Sequence, residues 1–319
     1  MILTEDRSYV ISLDMKESDD GSGLGNKQVE LEFTNRELLH AIITCGMPMQ
    51  RLTPVYMGKR KAEILYKIFL VEAALEAEGD RLKKSGRTMY LDSSEKSVIS
   101  YYLGMFFTKL ISRRLFDVDY LVHLNMVENM QGDDFIDYFC SDWRQDMIGF
   151  KIEDSSWSVW EAKGGSNHRG PALKKGCEQA DNIAVINGIK PNPAAVCMTY
   201  YDHGYLQAVV KKTEGKDGVP VTFRENQFFE TYYKPLRELF LEHRLKINRE
   251  LQEVEIEIPV PDFGMEGNGR SDRKLCIGMP GMTFRTVVAQ QYEDAARWDR
   301  EKWIRREGCF CGEDMVYIK

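Results

Sequence analysis

The stretch RQDMIGFKIEDSSWSVWEAKGGSNHRGPALKKGCEQ, residues 144–179, decides how this chain is read. It opens with a strand carrying an acid, Asp146, and passes through a short polar turn. A second strand, apolar at Trp157, Val159 and Trp160, ends in Glu161-Ala162-Lys163. A glycine-rich basic loop and a helix beginning near Pro171 follow, with proline suited to a first helical turn. Side chains alternate along a strand, so Glu161 and Lys163 share one face. Two acids on neighbouring strands of a hairpin converge on a single divalent ion, with the lysine beside the second acid.

Phosphodiester cleavage needs that grouping. The phosphate charge must be neutralised, a water activated and the leaving oxygen assisted. A Mg²⁺ held by one or two carboxylates, keeping several of its waters, supplies all three. A lysine next to it orients the attacking water and stabilises negative charge as it develops. The triplet acid-x-lysine alone is weak, because it occurs four times, at Asp14/Lys16, Glu161/Lys163, Glu214/Lys216 and Asp272/Lys274. Context separates them. Glu214 lies in a charged loop, Asp272 precedes its candidate strand, and Asp14 has no acid on a preceding strand. Only Glu161 closes an apolar strand, follows an acid on another strand and leads into a basic segment. The bland alternative is a surface Glu161–Lys163 pair with Asp146 starting a turn.

These residues resemble the core of the PD-(D/E)xK nuclease superfamily, the restriction-endonuclease-like fold. Asp146 matches the first acid, Glu161 the second and Lys163 the lysine, while Gln179 matches a glutamine many members place near the site. The resemblance covers about residues 117–211. It implies an α/β fold, a mixed central sheet flanked by helices, with α+β additions at both ends. It implies catalytic roles for Asp146, Glu161 and Lys163, and Mg²⁺, with Mn²⁺ as substitute, bound by Asp146, Glu161 and the Ala162 carbonyl. Gln145 stands where the family often has proline, and no upstream helix acid is placed, which leaves a second metal open. Glu128 is a weak candidate for an accessory ligand. The implied activity is that of a Mg²⁺-dependent endonuclease, with DNA the expected substrate and prokaryotic or phage-related defence the expected setting. A homodimer is expected if both strands are cut; a defence-system protein is the other expected partner. A protein that keeps the fold and binds nucleic acid without cutting is the alternative.

The charge distribution agrees with a local nucleic-acid site. The net charge of −7 opposes broad coating of DNA. Yet no acid lies between Glu161 and Glu178, where Lys163, Arg169, Lys174 and Lys175 fall. Arg169, Lys174 and Lys175 are therefore the expected phosphate contacts, with Gln179 beside them, and the helix start near Pro171 can face a phosphate. His168 reads as a loop histidine before it reads as a general base.

Other chemistries lack their signatures. Seven scattered cysteines suit reduced thiols, and the lone Cys309-x-Cys311 has no partner pair for zinc nearby. The five histidines make no HExxH pair, no GxSxG elbow is present, and the glycine-rich 17–26 segment lacks the GK[ST] of a phosphate loop. Glu5, Asp6 and Arg7 stand where a signal peptide needs an apolar core, so the cytoplasm is the expected compartment, and no apolar run reaches membrane length.

The remaining chain is expected to form three regions. Residues 1–90 read as an α+β region, 91–215 as the nuclease core and 216–319 as helices and strands packed on it. Val29, Leu31 and Phe33 alternate with acids as in a half-wet strand, and Thr34 with Glu37 reads as a capping box. Helices are expected over 59–78, from Asp92 to about Leu115, over 171–187, over 225–248 and over 287–306. The aromatic run Tyr101, Tyr102, Phe106 and Phe107 fits a core-facing stripe better than a base-stacking one. Residues 119–130 fit helix or strand equally.

Overall fold

The computed structural model describes residues 2–3, 6–17, 27–45, 60–124, 146–214, 218–260, 274–297, 310–312 and 314–319. The architecture is α/β: a large, mixed, curled sheet flanked by helices, with a smaller second sheet built from the C-terminal residues. Glu128, Cys309 and residues 18–26 of the glycine-rich segment lie outside the described residues.

The large sheet has nine strands. Strands β1 (Ser8–Lys16) and β2 (Lys27–Thr34) form an antiparallel pair at one side. A hairpin of β3 (Leu75–Glu78) and β4 (Arg81–Lys84) joins beside them. Then come β10 (Tyr205–Thr213), β9 (Ala194–Asp202), β7 (Ser156–Gly164), β6 (Met147–Lys151) and β5 (Tyr120–His123). β1 runs parallel to β10 and β7 parallel to β9, while β6 is antiparallel to both of its neighbours. The N-terminal strands thus share one sheet with the motif strands. The central strands are apolar on both faces, as expected where helices cover both sides.

Local chemistry explains most boundaries. Helix α1 (Asn35–Thr44) starts on the capping box: Thr34 Oγ1 accepts from the Glu37 N–H at 3.2 Å, and Glu37 Oε2 accepts from the Thr34 N–H at 2.9 Å. In α3 (Ser93–Phe116), Asp92 caps the N–H groups of Ser94 and Glu95. The hairpin joining β9 to β10 turns on His203 and Gly204, at φ 47° and 86°. That handedness matches the strand twist and favours glycine.

Three expected helices are shorter than their patterns suggest, and the closing one is placed differently. Helix α2 (Arg60–Ala74) ends four residues before Glu78, because Leu75–Glu78 pairs with Arg81–Lys84 through a turn at Gly79, φ 64°. Helix α4 (Gly170–Ala180) ends before β8 (Ile183–Ile186), which pairs in parallel with β11 (Val219–Val221). Helix α5 (Glu225–Leu241) gives way to β12 (Lys246–Asn248), bonded to β13 (Glu253–Pro259). The closing helix begins earlier than expected, as α6 (Gly281–Val288) after β14 (Lys274–Pro280), followed by the short α7 (Tyr292–Ala296). At the ends of α2, α4 and α5 a strand pairing replaces helix continuation, overriding local propensity. Residues 120–123 of the ambiguous 119–130 stretch are strand.

The C-terminal chain returns to the N-terminal helix. β15 (Phe310–Cys311) and β16 (Tyr317–Ile318) complete the second sheet, in the order β12-β13-β14-β16-β15. Between them Asp314 is fully buried, its carboxylate held by His40 Nε2 at 3.0 Å and by the Tyr232 hydroxyl. Burial alone would raise its pKa, but His40, Lys109 and Tyr232 hold it well below the usual carboxylate range.

Candidate active site

The two acids meet where the β6–β7 ladder ends. Met147 pairs with Trp160, so the next step outward places Asp146 opposite Glu161. Side chains continue the ladder there. The Asp146 N–H donates to Glu161 Oε2 at 3.0 Å, and the Ala162 N–H donates to Asp146 Oδ2 at 3.0 Å. A strand residue directs its N–H and C=O to the same neighbour, so the Ala162 carbonyl lies on the Asp146 side. Lys163, on the Glu161 face of β7, donates to Glu161 Oε1 and, at 2.7 Å, to Gln179 Oε1 from α4.

Close packing fixes this group. α3 lies directly on β7: a Cβ at Gly164 would fall 1.8 Å from the Ser100 carbonyl oxygen, and one at Gly104 would fall 2.8 Å from that of Lys163. From the Glu161 side, α4 approaches at Gly176, where a Cβ would stand 2.6 Å from Val196 Cγ2 and 3.5 Å from Glu161 Cγ. Glycine is required at these positions because backbone passes against backbone or a branched side chain.

Electrostatics set the group apart from an ordinary ion pair. Glu161 is only 1% exposed. Burial raises its pKa, and the neighbouring Asp146 carboxylate raises it further, more than Lys163 lowers it. Burial likewise raises Asp146 against the pull of Lys163. A buried and a half-buried carboxylate facing a single ammonium leave a deficit of positive charge. Hard oxygen donors short of positive charge suit a divalent cation such as Mg²⁺. Among the described residues no three His, Cys, Asp or Glu side chains converge, so the described protein donors are these two carboxylates and a backbone carbonyl.

Of the expected site residues, Asp146, Glu161, Ala162, Lys163 and Gln179 come together. Gln179 is directed at Lys163, a positioning contact. Arg169, Lys174 and Lys175 stand exposed on the loop and on α4, and His168 packs edge-on to Tyr200 at 5.1 Å. No family model, curated protein or solved structure matches the chain. Tyr101 of α3 is a site neighbour that the sequence pattern assigned to the core. Burial and then the Asp146 and Glu161 carboxylates push its phenol upward, yet it is 36% exposed. Continuous burial on α3 begins one residue later, at Tyr102. The helical period alone cannot show where the sheet stops covering α3.

Proposed function

We propose that the protein is a metal-dependent nuclease of the restriction-endonuclease-like type, hydrolysing phosphodiester bonds of DNA. The carrying observation is the juxtaposition of half-buried Asp146 and buried Glu161 at adjoining strand ends, with Lys163 bonded to Glu161. Asp146, Glu161 and the Ala162 carbonyl would hold a Mg²⁺ or Mn²⁺, which when bound neutralises the phosphate and acidifies a water. Lys163, fixed between Glu161 and Gln179, places an ammonium where the attacking water and the developing charge on phosphorus-bound oxygen lie. Arg169 and Lys174 hold the backbone of the substrate as it passes the C-terminal end of β7. A role in prokaryotic or phage-related defence is part of the same proposal and rests on the resemblance alone.

The test is incubation of the full chain with circular and linear DNA and with RNA, with and without Mg²⁺. Cleavage should require the metal and be lost in Asp146→Ala, Glu161→Ala and Lys163→Ala proteins that keep the wild-type circular dichroism spectrum. Cleavage that persists in EDTA, or in all three variants, refutes the proposal. Binding without any metal-dependent cleavage points to the non-cutting alternative.

A further inference from the structure

An exposed aromatic surface begins beside the end of the motif strand, where α3 packs on β7. Tyr101 stands edge-on to Tyr102, with ring centres 5.3 Å apart, and Tyr102 to Tyr66 of α2, 5.8 Å apart. The central ring is buried, while Tyr66 is 47% exposed. Val98, one turn before Tyr101 on α3, is also exposed. The 3₁₀ turn Gly86–Tyr90, packed beside α2 and tied to α3 by Lys96 Nζ on the Met89 carbonyl at 3.1 Å, adds Met89 at 63% and Tyr90 at 87% exposure. Large apolar side chains gathered in one exposed place mark a binding surface. Arg87, exposed on the same turn, and Lys96 supply positive charge to it. Tyr101 sits one residue from Ser100, whose carbonyl faces Gly164 at the end of the motif strand. Tyr101 thus stands on the α3 side of the motif strand's end, close enough to the Asp146 and Glu161 carboxylates for their charges to reach its phenol.

From this arrangement we infer that Tyr101 and Tyr66 are base-stacking residues, and that the strand delivered to Asp146 and Glu161 is single-stranded nucleic acid. The inference rests on the nuclease reading above and names its substrate class. Duplex bases are stacked on each other and offer no free face, whereas unpaired bases stack on tyrosine rings irrespective of sequence. Tyr66, Tyr90 and Tyr101 supply rings for bases and Arg87 and Lys96 supply charge for phosphates, the combination that a single strand uses.

The experiment measures binding, so it does not depend on cleavage. Glu161→Gln protein in Mg²⁺ is titrated into a fluorescein-labelled thymidine 20-mer and into a labelled duplex of the same length, read by anisotropy. The single strand should bind more tightly. Tyr101→Leu and Tyr66→Leu should each weaken single-strand binding about tenfold, leave duplex binding within twofold, and leave the melting temperature unchanged. Tyr101→Phe, which keeps the ring, should restore single-strand affinity. Equal affinity for both probes, or unaltered single-strand binding in both leucine variants, overturns the inference. A wild-type dimer that dissociates on Tyr66→Leu also overturns it, by assigning the surface to a second copy. Tyrosine-dependent single-strand binding by a wild-type protein that never cuts upholds the stacking surface and sinks only the nuclease reading.

Discussion

Replacing Glu161 by glutamine separates charge from shape at the site. The amide keeps an acceptor for the Asp146 N–H and fills the space against Gly176, but carries no charge. In the wild type, burial and Asp146 raise the pKa of Glu161 above its ordinary 4.5. Such a group favours the folded state fully below the ordinary value, and that contribution disappears as pH rises through the folded value. The slope is at most about 1.4 kcal/mol per pH unit for one proton. Between pH 5.5 and 7.5, in EDTA, wild-type stability relative to Glu161→Gln should therefore fall by up to about 2.7 kcal/mol. Differencing the two proteins cancels the titration of remote groups. The assay is urea unfolding at four pH values. Mg²⁺ should then reverse the trend. Cation binding displaces the proton that Glu161 retains, so its stabilisation should grow with pH, reaching about 2.7 kcal/mol at a hundredfold excess over Kd. The glutamine protein should gain little. A wild-type-minus-variant difference that is flat with pH, or equal stabilisation of both proteins by Mg²⁺, refutes the charge-deficit argument.

Gly164→Ala should lower stability by about 3 kcal/mol and abolish cleavage, because the added methyl would lie 1.8 Å from the Ser100 carbonyl oxygen; thermal melts and cleavage rates check both. Gly176→Ala should cost less stability, since its nearest obstacle is the Val196 methyl at 2.6 Å, but should still slow cleavage by shifting α4, whose Gln179 holds Lys163. Arg169→Ala and Lys174→Ala should each reduce the slope of log affinity against log salt by about one, measured on a labelled strand from 50 to 200 mM NaCl. Asp314→Ala should destabilise by about 3–5 kcal/mol by stranding His40 and the Tyr232 hydroxyl in the core. Because the folded pKa of Asp314 is depressed, that loss should be full above its ordinary 3.8 and shrink as pH falls below it; a loss that grows towards acid pH would contradict the assignment.

What could be read from the sequence was what depends on neighbours a few residues apart. The Thr34–Glu37 capping box, the Asp92 cap, the period-2 strand at Val29–Phe33 and the turn at His203-Gly204 are local devices. The pairing of Asp146 with Glu161 was legible for the same reason, since a short hairpin fixes which residues oppose each other. The helix patterns over 59–78, 171–187 and 225–248 ran on too far. Leu75–Glu78 and Lys246–Asn248 continue a helical pattern but are drawn into hairpins with the strands that follow, and Ile183–Ile186 is extended by a partner strand more than thirty residues away. The Asp314–His40 contact spans 274 residues of sequence and no pattern announces it. The same limit applies to Tyr101. Its neighbours Tyr102, Phe106 and Phe107 are core, and its exposure follows from where β7 ends.

α3 connects these non-local features to the chemistry. Its N-terminal half carries Tyr101 and the Gly104 contact that seats it on the Lys163 carbonyl. Its C-terminal half is held from three directions. Lys109 Nζ donates to the Asp119 carbonyl at 3.3 Å and lies 5.1 Å from the centre of the Tyr232 ring. Arg113 stacks on Phe310 at 4.3 Å, and Arg114 donates to the Glu32 carbonyl at 3.0 Å. A single unbroken helix transmits those restraints along its axis, since its crowded interior resists bending without a proline, an inserted water or a bulge. The acid pair therefore owes its geometry to the N-terminal sheet and the C-terminal strands as much as to the hairpin that contains it. A site that must hold two acids side by side, Glu161 accepting from the Asp146 N–H and Asp146 from the Ala162 N–H, needs such support on every side, because their repulsion when both are charged would otherwise open the strand ends.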